Sequence, residues 1–202
     1  MKYVSKYSSK LKIATSTSES ELKQFYQKYW LRRIRDNYIY DALKYPPRYP
    51  IIVKLVGRNK RVLDVGCGEG ILSMLLQRLG NVVIGIDLSE EAVKLSRNNG
   101  IEAYICDIEN EDLPFDKKFD VIILSEVLEH VVFPKEVIRK LKNNLDEKGY
   151  FVITFPNIGF YVYRLQLLLG RFPKQGLYDQ DEHLHYWALP DFLLFLKNKY
   201  RY

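Results

Sequence analysis

From about residue 58 onward, short apolar runs alternate with stretches whose apolar residues recur at helical spacing. The apolar runs fall at 61–65, 82–87, 101–106, 119–125 and 150–155. They are rich in Val and Ile, as strands buried on both faces would be. Helices are expected at 70–79, 89–98, 134–144 and 190–199. Ser89 is placed to cap the second of these, Glu90 and Glu91 fall in its first turn, and Gly100 ends it. Strand and helix in alternation predict an α/β fold, a Rossmann-like doubly wound and mostly parallel sheet. Ligands of such sheets bind at the carboxyl ends of the strands. Before residue 58 the pattern changes. Residues 1–20 are polar, 19–43 read as one or two helices, and Tyr45-Pro46-Pro47-Arg48-Tyr49-Pro50 breaks them. A helix at about 50–57 leads into the first strand. The chain therefore divides into a basic, Tyr-rich N-terminal helical cap, 1–57, and an α/β domain, 58–202.

The densest chemistry lies in Val62–Gly70, VLDVGCGEG, and in Asp87 at the end of the next apolar run. Glycines at 66, 68 and 70 let the backbone turn tightly and approach a ligand. The helix that follows directs its N-terminus at that ligand. Asp87 stands where a second strand would end beside the first, and a carboxylate there can accept both hydroxyls of a ribose. A dinucleotide fingerprint, G-x-G-x-x-G, would require glycine at position 71, which is Ile71.

Asp64 followed by G-x-G-x-G resembles the first motif of class I S-adenosylmethionine-dependent methyltransferases. That resemblance implies a loop (Gly66, Cys67, Gly68, Gly70) passing close to the methionine portion of the cofactor, with Asp64 ahead of it. It implies Asp87 on the ribose, Leu88 and Ile108 against the adenine ring, Asp107 accepting the adenine amino group, and Ser125 at the end of the fourth strand. On local grounds alone, Asp107 equally suits a turn cap. Leu113-Pro114-Phe115, Phe119–Leu124 and Ser125-Glu126-Val127-Leu128-Glu129-His130 extend the likeness, which runs nearly unbroken from about 60 to 196. It is nearest to the branch containing methionine-biosynthesis protein W. Phe155-Pro156-Asn157-Ile158, Tyr163–Pro173 and Glu182–Trp187 with Asp191-Phe192 carry that branch likeness. The family's sheet usually ends in an antiparallel strand pair. Only Tyr200-Arg201-Tyr202 remains beyond the last helix region, so that pair is expected to be missing or altered.

Glu126, Glu129 and His130 would share one face if the segment after the fourth strand were a helical turn. Two carboxylates and an imidazole are suitable ligands for Mg²⁺, Mn²⁺ or Zn²⁺. Plant small-RNA 3′-terminal 2′-O-methyltransferases and ubiquinone-pathway O-methyltransferases show a similar Glu-x-x-Glu-His pattern with a later His. That resemblance implies a metal held by Glu126, Glu129, His130 and His183; His183 is favoured over His185 because it stands four before Trp187. Three roles stay open: metal ligation, catalysis by His130 as a metal-free general base with Glu126 beside it, or a pair that only orients a loop.

At 202 residues the chain can bury a substantial core. Two cysteines give no disulfide framework and suit a reducing cytoplasm, and the N-terminus has no apolar signal segment. Abundant Lys, Glu, Ile and Tyr with scarce Met, Cys and His lean toward a thermophilic source. Residues 1–60 hold 14 Lys/Arg against 4 Asp/Glu. This basic, tyrosine-rich segment could meet nucleic acid or an anionic substrate, but its aromatics at helical spacing fit a packing face better. The stretch Phe151–Leu169 contains Pro156, Asn157, Gly159 and Arg164 and cannot span a membrane. Its aromatic and leucine residues would form a lid, an oligomer face or an ordinary core helix. The expected function is methyl transfer from S-adenosylmethionine to a small-molecule acceptor. The alternatives are a cofactor-binding regulatory partner of methionine biosynthesis, with a homodimer or an enzyme as its assembly, and a metal-dependent RNA 2′-O-methyltransferase.

Overall fold

A computed structural model describes residues 46–172 and 183–197. The helices expected at 19–43 and the basic segment before Tyr45 lie outside the described residues, as does the chain end after Lys197. The described elements run α1 Arg48–Val56, β1 Arg61–Val65, α2 Ile71–Gln77, β2 Val82–Asp87, α3 Glu90–Asn98, β3 Glu102–Ile105 and β4 Phe119–Ser125. Then follow α4 Pro134–Lys142, β5 Leu145–Thr154, α5 Tyr161–Leu168 and α6 Leu189–Lys197. The five strands form one sheet in the order β3-β2-β1-β4-β5, and every pairing is parallel. The doubly wound α/β expectation is met. Among the described residues no antiparallel pair extends the sheet.

Alternation along the strands decides which side chain meets which helix layer. Leu63 and Val65 of β1, Ile84 and Ile86 of β2, and Ile122 and Leu124 of β4 pack in one buried cluster with Val137 and Leu141 of α4 and Phe192 of α6. Their neighbours Val62, Val83, Val121 and Ile123 join a second cluster with Ile52 and Val56 of α1 and Leu72 and Leu76 of α2. α1 has no side-chain N-cap. Its anchorage comes from burying Ile52 and Val56, each worth about 1.5–3 kcal/mol, and from the Tyr150 hydroxyl, which donates to Leu55 O at 2.8 Å. The Ser89 cap is formed, its hydroxyl accepting from Ala92 N–H.

Two elements differ from the expectation. β5 begins at Leu145, not near 150, with a register irregularity between Phe119 and Val121 of its partner strand. The polar run Asp146-Glu147-Lys148-Gly149 hides this start from a hydrophobicity pattern. The stretch from Tyr161 does form a helix, α5, but none of its residues is buried. It is therefore no core helix; Tyr161, Leu165 and Leu168 stand 57–83% exposed. No helix among the described residues is long and apolar enough to cross a membrane.

Candidate active site

β1 and β4 are neighbours, and the helices that follow them lie in opposite layers, so their carboxyl ends flank the switch point of the sheet. The glycine loop leaves β1 there. Gly66 N–H and Cys67 N–H both donate to Ile86 O, at 2.8 and 3.0 Å, which folds the loop over the end of β2. Gly70, at φ +80°, is the N-cap of α2. A Cβ on Gly70 would lie 2.6 Å from Ser96 Oγ and 3.2 Å from the Ser96 backbone. A left-handed non-glycine residue costs about 1–3 kcal/mol even without a clash. Gly70→Ala is therefore expected to lower stability by at least that amount in denaturant unfolding and to weaken cofactor binding with it.

The side chains flanking the loop divide into two sets. Asp64 is buried and its carboxylate accepts the Ser73 hydroxyl at 2.6 Å; burial, partly offset by this bond, pushes its pKa up to about 6. Cys67 packs with Val93, Ile101 and Ala103. Both side chains are thus engaged beneath the loop. Asp87, by contrast, sits half-buried at the end of β2, accepting Gly68 N–H on Oδ2 and Ser89 N–H on Oδ1, each at 2.9 Å. Burial raises its pKa to about 6 against these backbone donors. Leu88 beside it is half-buried and Ile108 is buried. Asp107 closes the turn after β3 by accepting Glu109 N–H at 3.0 Å and Asn110 Nδ2–H at 3.0 Å. The turn-cap role left open for it is therefore formed.

The segment after β4 is a turn, not a helix, closed by His130 N–H donating to Val127 O at 3.0 Å. The assumption that Glu126, Glu129 and His130 share a helical face is corrected. Glu126 has a left-handed backbone, φ +58°, unusual for a residue with a side chain. Its carboxylate accepts the Thr154 hydroxyl at 2.9 Å. That bond commits the one proton of Thr154, so Ser125 donates to Thr154 Oγ1 at 3.1 Å and accepts from Arg48 Nε at 3.2 Å. A directed chain runs from Arg48 through Ser125 and Thr154 to Glu126. Arg48 and Thr154 escaped the sequence reading: Arg48 lies 77 residues from Ser125, and no local spacing links them.

The turn nevertheless delivers Glu129 and His130 to His183. Ligand atoms of these three lie within 4.8 Å of one another. The His130 and His183 rings meet edge to face at 4.7 Å between centroids. Glu129 is fully buried and neither carboxylate oxygen has a hydrogen-bond partner. Burial, and then the charge of nearby Glu126, push its pKa up to about 8. Burial lowers that of His183, with Glu126 opposing. A buried carboxylate with two open oxygens beside two imidazoles is a donor set suited to a divalent cation. His185 stands apart, its Nε2 bonded to Val131 O at 2.9 Å.

The "Methyltransferase domain" family model matches residues 57–189. The ubiquinone biosynthesis O-methyltransferase of Glaesserella parasuis is 38% identical over 146 residues, 67% of this chain and 62% of that enzyme. The enzyme of the same name from Proteus mirabilis is 40% identical over 137 residues, 62% and 56% of the two chains. This chain thus spans little more than half the length of these curated relatives. They are named for ubiquinone biosynthesis, which corrects the expected nearness to the methionine-biosynthesis W branch. The crystal structure of magnesium protoporphyrin IX methyltransferase from Synechocystis PCC 6803 with bound SAH (S-adenosylhomocysteine) superposes with a TM-score of 0.59. It is 19% identical and covers 82% of this chain and 85% of its own. By the family match, which takes in well over half of its length, the chain belongs to the methyltransferase-domain family, and its sheet is that of the class I S-adenosylmethionine-dependent methyltransferases.

Proposed function

We propose that this protein transfers the methyl group of S-adenosylmethionine to a hydroxyl of a small organic acceptor, with a divalent cation held by Glu129, His130 and His183. The observation that carries this reading is the Glu129 carboxylate, buried with both oxygens unpartnered beside two histidines after β4. The names of the O-methyltransferase relatives support an oxygen acceptor. Residues 58–202 form the catalytic domain in this reading, and 1–57 a basic, tyrosine-rich extension before it. The free, buried Cys67 and Cys106 suit a cytoplasmic protein.

The chain's own groups divide the work. Gly66, Gly68 and Gly70 provide a backbone surface without Cβ atoms for the methionyl end of the cofactor. Asp87 accepts the ribose hydroxyls; Leu88 and Ile108 offer apolar surface to the adenine, and Asp107 orders the turn beside it. Among the described residues Arg48 hydrogen-bonds only through Nε, and its terminal nitrogens suit a carboxylate such as that of an amino acid. Glu126, oriented by Thr154, keeps its second oxygen for an ammonium or an acceptor hydroxyl. S-adenosylmethionine, when bound, supplies a sulfonium methyl open to in-line displacement, and alignment of that kind is worth roughly 7–11 kcal/mol. A divalent cation, when bound, lowers the pKa of an acceptor hydroxyl. With His130 engaged as a ligand, Glu126 is then the group placed to take up the proton.

The test is transfer of labelled methyl to a panel of phenols and catechols, with and without chelator. S-adenosylhomocysteine affinity is expected to be the same in both conditions. Transfer is expected to vanish with EDTA and to return with Mg²⁺, Mn²⁺ or Zn²⁺. Full transfer in EDTA would leave His130 as a metal-free base.

A further inference from the structure

The cation site proposed above depends on His183, which reaches Glu129 and His130 from 53 residues farther along the chain. What holds it there is a short strap, residues 183–187. Leu184 N–H and His185 N–H both donate to Glu129 O, at 2.7 and 3.2 Å. At the other end Trp187 forms a parallel bridge to Asn157, and Ile158 N–H donates to Trp187 O at 3.0 Å. Between these ties stands His185, half-buried, its ring stacked on Trp187 at 5.1 Å with planes 13° apart. Its Nε2 lies 2.9 Å from Val131 O and 3.3 Å from Val132 O. Carbonyl oxygens only accept, so Nε2 carries the proton and the bond has one direction. The same backbone is gripped from the other side, where the Glu109 carboxylate accepts Val132 N–H and Phe133 N–H at 2.8 and 3.1 Å.

We infer that His185 is a positioning residue of this site: its Nε2–H bond to the Val131 and Val132 carbonyls, with its stack on Trp187, fixes the strap so that His183 faces Glu129 and His130. The inference rests on the cation reading. Strap and turn are both loop segments, and no helix or strand ladder sets their spacing. Without the side-chain bond, the 183–184 end would keep the two amides at Glu129 O, beside the ring contacts of His183 with His130 and Tyr186. A ligand histidine displaced by an ångström no longer completes a coordination sphere whose bonds are about 2.0–2.2 Å long.

Two substitutions separate the ring from the donor. His185→Phe keeps an aromatic stack on Trp187 and removes the N–H; His185→Gln restores an N–H donor without the ring. Titration with Co²⁺, followed by calorimetry and visible absorption, is expected to show about 10–100-fold weaker binding in His185→Phe. Substantial recovery is expected in His185→Gln, with S-adenosylhomocysteine affinity and melting temperature within error of the parent in both. Co²⁺ affinity unchanged in His185→Phe would overturn the inference while leaving the cation site standing. No Co²⁺ binding by the parent protein would overturn the cation reading and this inference with it. A variant-free measurement covers the case of a misfolded substitution. In ¹⁵N-histidine NMR of the parent, Zn²⁺ should shift the ring nitrogens of His130 and His183 to metal-bound values and leave His185 protonated at Nε2. A metal-bound His185 would make it a ligand and end its assignment as a positioning residue.

Discussion

Glu129→Gln is expected to abolish divalent-ion binding and to lower transfer to a hydroxyl acceptor by at least about 10²-fold, yet to stabilise the ion-free protein above neutral pH. The reason is the burial of a carboxyl with no partner for either oxygen. Its pKa stands at about 8 in the fold against a reference of 4.5. Between those values the folded protein retains a proton that the unfolded chain has released. Stability from this group is therefore complete below about 4.5, falls as pH rises toward 8, and levels off beyond it. Asp64 and Asp87, raised to about 6, add slope of the same sign, but only below that pH. Among the described residues the decline from 6 to 8 belongs to Glu129; His183, lowered by burial, acts in the opposite sense below its ordinary 6.5. Thermal melts of the ion-free parent should fall over that window, and those of Glu129→Gln should not. A divalent ion competes with the same proton, so its affinity for the parent should rise about tenfold per pH unit up to about 8. Equal melting curves for parent and variant at pH 8, with ion binding retained, would remove Glu129 from the site.

Asp87→Ala should weaken S-adenosylmethionine and S-adenosylhomocysteine binding by roughly ten- to a hundredfold, the equivalent of about 1.5–3 kcal/mol for a charge-assisted contact. The carboxylate holds Gly68 N–H and Ser89 N–H, and in the proposed reading it also accepts the ribose hydroxyls. Removing it also leaves those amides without their acceptor, so the loop loses order along with the contact. Because the Asp87 carboxyl stands at about 6 in the free protein, cofactor affinity should be level above that pH. Below it, affinity should drop by up to about tenfold per unit as the proton competes. NAD should not bind, since Ile71 replaces the glycine that a pyrophosphate loop requires. Calorimetry reads all three outcomes. An affinity unchanged in Asp87→Ala would mean that another group holds the ribose.

The local elements were legible for a local reason. Strand and helix periods, the Ser89 cap and the glycine loop depend on residues within a few positions of one another, and β1, β2 and β4 fall on the very residues their apolar runs mark. Where a polar run interrupts the signal, as at Asp146–Gly149, the start of β5 was invisible. The left-handed Glu126 was hidden likewise, because it is neither a glycine nor an asparagine, and its partner Thr154 lies 28 residues away.

The sequence by itself determined the alternating α/β pattern, the glycine turn after β1 and the place of Asp87 at the end of β2, because each is encoded by spacing along the chain. Only the tertiary structure decided which distant groups meet. It separated His183 from His185, two residues apart, by pinning His185 to the Val131 and Val132 carbonyls while His183 joins Glu129 and His130. It also brought Arg48 to Ser125 across 77 residues. Such contacts arise from packing: the parallel sheet gathers the carboxyl ends of its strands at one edge, and the sites assembled there draw on segments that share no local pattern.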